Sequence, residues 1–492
     1  MTRREPTGAS TAIGRRSLLG NFLSLSAATW VAQALGFFVV VYLARELGAG
    51  ALGQVALAQA IVLQFRFVAD MGFDLLGSRR IAADRAAAPE TVAELTGARL
   101  LNAAIAGGAL AAVALAADRF VPVGWLTAVF GLSLVCWALS VEWAFMGLER
   151  MDLVGLARLT AAAVWLLLVL VFVRGGTPLI VVPAAYVAGQ ACGAALLFAR
   201  FRRAHGPVRL RCRRVTWRAA LRQAAPIGLS FVVIQIHVGF GLVALGLFDG
   251  DRAAGLYAAP QRLVLFLTAV SSMFGAAIYP RLSALWAGGR AEFERVAGLG
   301  FRVMVLASVP LAVGGVLVAR PLVDLVYGPG YEEGASVFRW LVPGVVPIYV
   351  SMLFGYALLA AGGERRYFLA SLFGAAVVVA ANLVLIPRLH ILAPAIATLA
   401  AECAVFVLMA RSMRRVARVA AGRVVWAAAG AAALMAGAIL LARSAPVAAQ
   451  ISLGAVVYVA GVAALRGLTA ADVGLMRELA RSAPSTPTAA FD

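Results

Sequence analysis

Arg66, Asp70 and Asp74 recur at i, i+4 and i+8 inside an otherwise apolar stretch. On a helix that spacing stacks the three on one face, where each can pair with the next. A carboxylate in low dielectric holds a proton more readily and can also hold a cation. The trio therefore reads in two ways, as a neutralised internal ladder or as a cavity-facing site that exchanges an ion. Arg262 differs, because the stretch from Gly255 to Tyr279 offers it no acidic residue at i±3 or i±4. Its partner must come from elsewhere, either Glu142 or Asp70 across a bundle or a phosphate, which the planar guanidinium fork binds bidentately. His237, mid-stretch, is a satisfied polar residue or a proton switch. Arg339, Glu402 and Glu142 are near-interface or pairing candidates, and Arg99 and Arg302 sit near the ends of apolar stretches, where snorkelling accounts for them.

The elements that position these groups are set by composition. Of 492 residues, 63% are hydrophobic and 13% charged, and the mean hydropathy is +0.92, far from the balance of a water-soluble domain. Apolar runs of about twenty residues recur from Leu18 to Leu465, each long enough to cross about 30 Å of hydrocarbon. Stretches such as Ala103 to Ala117 and Ala427 to Ala442 are apolar on every face, which fits helices and not the alternating strands of a lipid-spanning barrel. The expected spans are 19–44, 51–76, 92–117, 122–147, 155–174, 179–200, 223–248, 255–279, 297–319, 335–361, 366–387, 392–411, 423–442 and 447–466. The chain thus reads as an all-α integral membrane protein of about fourteen transmembrane helices.

Every basic residue is Arg, and the arginines mark one side of the membrane. Only Arg45, Arg119, Arg174, Arg252, Arg320, Arg388 and Arg443 fall in the loops of the other side. The positive-inside rule then puts both termini in the cytoplasm of a bacterial inner membrane. Arg200 to Arg222 holds nine of them, serving as a topology anchor or as a contact with anionic membrane lipids. Residues 1–18, with Arg3, Arg4, Arg15 and Arg16, read as a cytoplasmic segment before a retained first helix. Residues 467–492 read as a cytoplasmic tail whose polar, proline-rich end does not fold alone. Cys136, Cys192, Cys212 and Cys403 follow neither a zinc nor a disulfide pattern.

The chain also matches itself at an offset of 202. Gln33 meets Gln235, Gly53 meets Gly255, Ala58 and Gln59 meet Pro260 and Gln261, and Arg79 meets Arg281; one residue out of phase, Arg99 meets Arg302. Two pseudo-symmetric six-helix lobes follow, 19–200 and 223–411, joined by a basic cytoplasmic linker at 201–222 and followed by an appended pair of helices at 423–466. An even number of crossings per half puts the pseudo-two-fold axis along the membrane normal. Pro226, Pro260, Pro310, Pro343 and Pro347 fall within spans and permit bending.

No phosphate-binding GxxxxGK[ST] loop, HExxH motif or paired-cysteine motif is present, so the sequence predicts no ATP hydrolysis, no metal and no cofactor. The longest outer loop, Arg320 to Gly334, carries Asp324, Glu332 and Glu333 and is too short to house a membrane glycosyltransferase site. The basic charge is accounted for by topology and not by nucleic acid.

Leu43-Ala-Arg-Glu-Leu-Gly48 with Leu52-Gly53, Val68-Ala-Asp-Met-Gly72 followed by Arg79-Arg-Ile-Ala82, and Gly255-Leu-Tyr-Ala-Ala-Pro-Gln-Arg-Leu263 running to Ile278-Tyr-Pro-Arg-Leu-Ser283 together resemble the Wzx-type polysaccharide flippases, which carry O-antigen and capsule repeat units, of the multidrug/oligosaccharidyl-lipid/polysaccharide exporter superfamily. The resemblance implies two lobes around a V-shaped cavity and transport of an undecaprenyl-pyrophosphate-linked oligosaccharide by alternating access, in company with polysaccharide polymerase or assembly proteins. The last stretch is also similar to that of lipid II flippases, in which an arginine at the place of Arg262 lines the cavity. Here Pro260 and Gln261 precede it instead of an acidic residue, and the first helix lacks the basic residues kept by lipid II flippases. On this resemblance Arg262, Gln33, Gln59 and Gln235 are expected to bind substrate, and Asp70, Asp74, Arg66 and Glu142 are the ion-coupling candidates. A drug/cation antiporter of the same superfamily is the first rival and would favour acidic cavity residues. A membrane polysaccharide polymerase or ligase is the second.

Overall fold

A computed structural model describes residues 18–117, 123–210, 214–419 and 422–481. The expectations for residues 1–17 and 482–492, for Arg119 and for Cys212 fall outside that range. Among the described residues all regular structure is helical. The first half comprises α1 (Leu18–Asp70), α2 (Phe73–Ala83), α3 (Ala88–Ala117), the short α4 (Gly124–Gly131), α5 (Ser133–Leu139) and α6 (Glu142–Gly147), then α7 (Met151–Phe172) and α8 (Val181–His205). The second half comprises α9 (Arg214–Gly288), α10 (Arg290–Leu317), α11 (Ala319–Tyr327), α12 (Glu332–Leu341), α13 (Val345–Ala360), α14 (Glu364–Leu389) and α15 (Ala393–Val416). Beyond it lie α16 (Gly422–Leu441), α17 (Val447–Ala464) and α18 (Ala470–Arg481).

Among the described residues eleven helical segments are long and apolar enough to cross a membrane. Three of them double back. Gln33 and Arg66 would stand roughly 50 Å apart along one straight helix at 1.5 Å per residue, yet both line one cavity. The chain reverses at Gly48, whose φ of 76° and ψ of 176° interrupt α1. His237 and Arg262 line the same cavity on either side of Gly250, which breaks α9 with φ 86° and ψ −176°. Both positions lie in a region of positive φ that glycine enters without steric cost. The third reversal, between α14 and α15, passes through His390 at φ 48°.

Gly48 and Gly250 are separated by the repeat offset, and the two halves meet one step further on. A Cβ on Gly53 would fall inside the Asp251 carbonyl, and a Cβ on Gly255 inside the Ala49 carbonyl. Ala49 and Asp251 are themselves repeat-related, so the contact is reciprocal, as a two-fold interface requires. Most prolines in the spans leave the helices continuous, since α9 runs through Pro226, Pro260 and Pro280 and α10 through Pro310, whereas Pro343 lies in the 3-10 turn Val342–Gly344 that divides α12 from α13. The reversals within α1 and α9 fall at glycines, because a glycine frees both φ and the steric space of the turn while a proline frees only one backbone carbonyl.

Two loop expectations are corrected. The stretch after Arg320 is not an open loop; α11 forms there and buries Ala319, Val323 and Tyr327 at i, i+4 and i+8. The tail does not fray directly after Arg466. Thr469 and Asp472 cap α18 reciprocally, with the Thr469 N–H donating to Asp472 Oδ2 at 2.9 Å and the Asp472 N–H donating to Thr469 Oγ1 at 3.2 Å, the arrangement that satisfies free amides at a helix start. Arg302 of α10 then meets Asp472 at 2.7 Å, tying α18 to the bundle. Helix also occupies 201–205 and 214–222 of the basic stretch between the halves.

Candidate functional site

A cavity of about 850 Å³ lies between the two halves. Its first-half wall is aromatic. Tyr186 of α8 packs edge-on against Trp165 at 5.1 Å, Phe130 at 5.5 Å and Trp137 at 6.4 Å between ring centroids, and Trp137 Nε1 donates to Gln190 Oε1 at 3.0 Å. The second-half wall is richer in hydroxyls, with Ser272, Ser351, Ser371 and Tyr367. Flat apolar faces interleaved with amide and hydroxyl groups suit a ligand that is polar at its edges and apolar on its faces.

Charge is distributed unevenly in this space. The lining contains three arginines (Arg66, Arg158 and Arg262), two glutamates (Glu142 and Glu402) and His237. Both glutamates are engaged. Arg158 donates to Glu142 Oε2 through Nη2 at 2.9 Å and Nε at 3.1 Å, and to Thr29 Oγ1 at 3.3 Å. His237 Nε2 lies 2.9 Å from Glu402 Oε1. Arg66 has no carboxylate within ion-pair distance among the described residues, although its charge reaches Asp70; its guanidinium stands 4.4 Å over the Trp137 ring, a cation–π arrangement. Arg262 likewise has no carboxylate partner among the described residues and faces the cavity from the second limb of α9. Tyr186 and Gln59 line the same cavity as the two guanidiniums.

The predicted site residues separate into two groups. Arg262, Gln33, Gln59, Arg66 and Glu142 line the cavity. Gln235, Asp70 and Asp74 are not among its lining residues. The continuous ladder Arg66–Asp70–Asp74 does not exist, because α1 ends at Asp70: Met71 at φ 43° and Gly72 at φ 86° turn the chain, and Asp74 belongs to α2. Arg99 of α3 takes the place of Arg66 as their partner, 2.9 Å from Asp74 and 3.5 Å from Asp70. It also donates to the carbonyls of Trp137 at 2.8 Å and Ser140 at 3.0 Å, which α5 leaves free where it stops at Ser140. Arg99 therefore does not snorkel; its side chain is 6% exposed. Arg302 also turns inward, to Asp472.

The model of a family described as "Polysaccharide biosynthesis protein" matches residues 18–286, more than half of the chain. The protein belongs to the polysaccharide biosynthesis protein family. No curated protein matches the sequence. Among solved structures the fold is similar to the lipid II flippase MurJ in an inward closed conformation, with a TM-score of 0.73 at 13% identity over 90% of this chain and 99% of that one. It is similar also to an inward-facing multidrug resistance MATE transporter of the MOP superfamily, with a TM-score of 0.61 at 14% identity over 82% and 96%, and to the MATE multidrug transporter DinF-BH, at 0.57 and 16% over 84% and 98%. This member of the polysaccharide biosynthesis family thus has the fold of flippases and transporters.

Within that fold the cavity gains residues that the sequence did not single out, among them Arg158, Trp137, Gln190, Tyr186 and Trp165. Arg158 sits on a helix whose neighbours are apolar, and an i, i+16 relation to Glu142 has no sequence signature. The breaks that bring α6 against α7 make the pair. Among the described residues no cluster of three or more His, Cys, Asp or Glu side chains is placed to hold a metal ion.

Proposed function

We propose that this protein is a flippase that carries undecaprenyl-pyrophosphate-linked oligosaccharide repeat units across the bacterial cytoplasmic membrane by alternating access, for surface polysaccharides such as O-antigen or capsule. The observation that carries this reading is a cavity with two guanidiniums, Arg66 and Arg262, that lack carboxylate partners while both lining acids are occupied. A site with uncommitted cations wants an anion, and a diphosphate can engage two guanidinium forks that line one cavity. Aromatic faces beside amides and hydroxyls suit the sugars, and the polyprenyl chain stays in lipid. In this reading the three doubled segments cross twice, giving fourteen crossings with both termini cytoplasmic. A drug/cation antiporter shares the fold, but a cavity whose free charges are both positive repels cationic drugs.

The test is to locate the lipid-linked oligosaccharide in a strain lacking the protein, by its accessibility to an impermeant lectin on intact spheroplasts. Accumulation on the inner leaflet, restored to export by wild type and not by Arg262→Ala at equal expression, supports the flippase. Accumulation on the outer leaflet points to a polymerase or ligase. Full export with Arg262→Ala removes the phosphate contact from the reading.

A further inference from the structure

Arg158 and Glu142 stand on the first-half wall of the cavity, beside its aromatic faces. Arg158 shares α7 with Trp165, seven residues on, and both line the cavity; that spacing puts them on one helix face, about 10 Å apart at 1.5 Å per residue. Glu142 opens α6 two residues after Ser140, which lines the cavity too. The guanidinium is fully committed. Nη2 and Nε donate to Glu142 Oε2 at 2.9 and 3.1 Å, and Nη1 donates to Thr29 Oγ1 at 3.3 Å, so each of its nitrogens has a protein acceptor. The pair is not sealed away, with 34% of the Arg158 side chain and 30% of the Glu142 side chain exposed. Only Oε2 of the carboxylate is used, which leaves Oε1 without a protein donor among the described residues.

The other charged groups of the lining offer the sugars no cation either. His237 Nε2 and Glu402 Oε1 meet at 2.9 Å, and this pair has no positive charge to spare whether the imidazole is charged or neutral. Arg66 and Arg262 line the cavity with no carboxylate within ion-pair distance among the described residues. Each phosphate of a diphosphate diester carries one ionised oxygen, so the linkage and the two guanidiniums balance one another. An anionic sugar in the same cavity would give up its hydration with no guanidinium to replace it, and it would face Glu142 and Glu402, which repel it. A sugar hydroxyl, by contrast, can donate to Glu142 Oε1.

We infer that the transported repeat unit is a neutral oligosaccharide, and that Glu142 enforces this selection by occupying Arg158. The inference rests on the transport reading above and narrows its substrate. Glu142 acts in two ways, accepting from sugar hydroxyls and excluding sugar acids, and specific sites commonly combine such attraction and repulsion. Arg158 is then a latent cation. Without the Glu142 charge its planar fork would be available to a carboxylate, which it binds bidentately.

Two glycolipids test this. One is undecaprenyl diphosphate carrying a neutral disaccharide of N-acetylglucosamine and glucose; the other has glucuronic acid in place of the glucose. Binding of each to the full-length protein in nanodiscs is measured beside undecaprenyl diphosphate alone. The expected result is binding of the neutral glycolipid about tenfold tighter or more, the equivalent of about 1.4 kcal/mol. In Glu142→Gln the amide oxygen still accepts from Arg158 but the charge is gone, and the ratio of the two affinities falls to about one or inverts. Adding Arg158→Gln takes the freed cation away and brings the preference back. The ratio is the readout, because a purely structural role of Glu142 weakens both glycolipids together. Equal binding to the parent, a preference for the acidic glycolipid, or a ratio that a folded Glu142→Gln leaves unchanged overturns the inference. Mass spectrometry of the lipid-linked oligosaccharide that accumulates in a strain lacking the protein needs no variant: only neutral sugars are expected, and a uronic, sialic or phosphorylated sugar overturns the inference. Failure of the transport reading shows differently, as undecaprenyl diphosphate alone that does not bind, or that binds Arg262→Ala as tightly as the parent; the inference then falls with its ground, whatever the sugars.

Discussion

Arg99 and Arg66 are the same residue type in adjacent helices, and the structure treats them oppositely. Arg99 has two carboxylates and two carbonyls around it and 6% of its side chain exposed; Arg66 has an indole face beneath it and the cavity in front. What separates them is where the neighbouring helices stop. The end of α5 at Ser140 and the end of α1 at Asp70 deliver four acceptors to one guanidinium and none to the other. Arg99 is saturated by protein acceptors, and Arg66 is left facing the cavity.

Substitution breaks or sharpens that contrast. Arg99→Ala leaves Asp70 buried without its partner and strips Asp74, and should cost about 3–5 kcal/mol, read as a large fall in thermal stability in detergent; a stable, well-expressed variant would mean that water replaces the guanidinium there. Gly53→Val puts a branched side chain into the Asp251 carbonyl and should cost about 1–3 kcal/mol, with loss of transport, because the halves must separate to admit it. Asp472→Asn weakens the cap and the Arg302 pair, for about 1 kcal/mol, seen as early proteolysis of α18. Burial pushes the Asp472 carboxyl up, but the Thr469 donors and the Arg302 guanidinium outweigh it and hold it below the usual aspartate range. A carboxyl with a lowered folded value stabilises above its unfolded value, near 3.9, and loses that contribution as pH falls through the folded one. Docking of α18 should therefore persist at neutral pH and fail only in strong acid. Smallest of all, Arg66→Ala and Arg262→Ala should shift stability by less than about 0.5 kcal/mol while abolishing export; if either behaves like Arg99→Ala, the contrast between the two kinds of arginine collapses.

The fold was largely legible in the sequence because apolar run length and the 202-residue offset report on the same physics, hydrocarbon thickness and duplicated packing. Gly53 and Gly255, a repeat match in the sequence, make one of the close backbone contacts between the halves. The charged residues were harder to read. Their depth could be estimated from the apolar runs, but their partners depend on helix ends that single positions control. Met71 at positive φ was invisible, and with it went the ladder, since a helix that stops at Asp70 cannot stack Asp74 below it. Gln33 and Gln59 reached the cavity while Gln235, the repeat mate of Gln33, did not: on that limb of α9 Ile234, His237 and Val238 face it instead, so identical residues at the repeat offset do not guarantee the same exposure. Arg158 could not have been paired with Glu142 without knowing that α6 folds against α7.

The reciprocal Gly53–Gly255 contact also sets a condition on how the chain is made. Gly255 is synthesised 202 residues after Gly53, a delay of about 10–40 s at ordinary elongation rates. Throughout that interval the bare glycine groove of α1 borders acyl chains, and only later a matching backbone. Those positions of α1 therefore answer to two solvents in succession, and the surface that finally locks the halves together must first be one that lipid can leave.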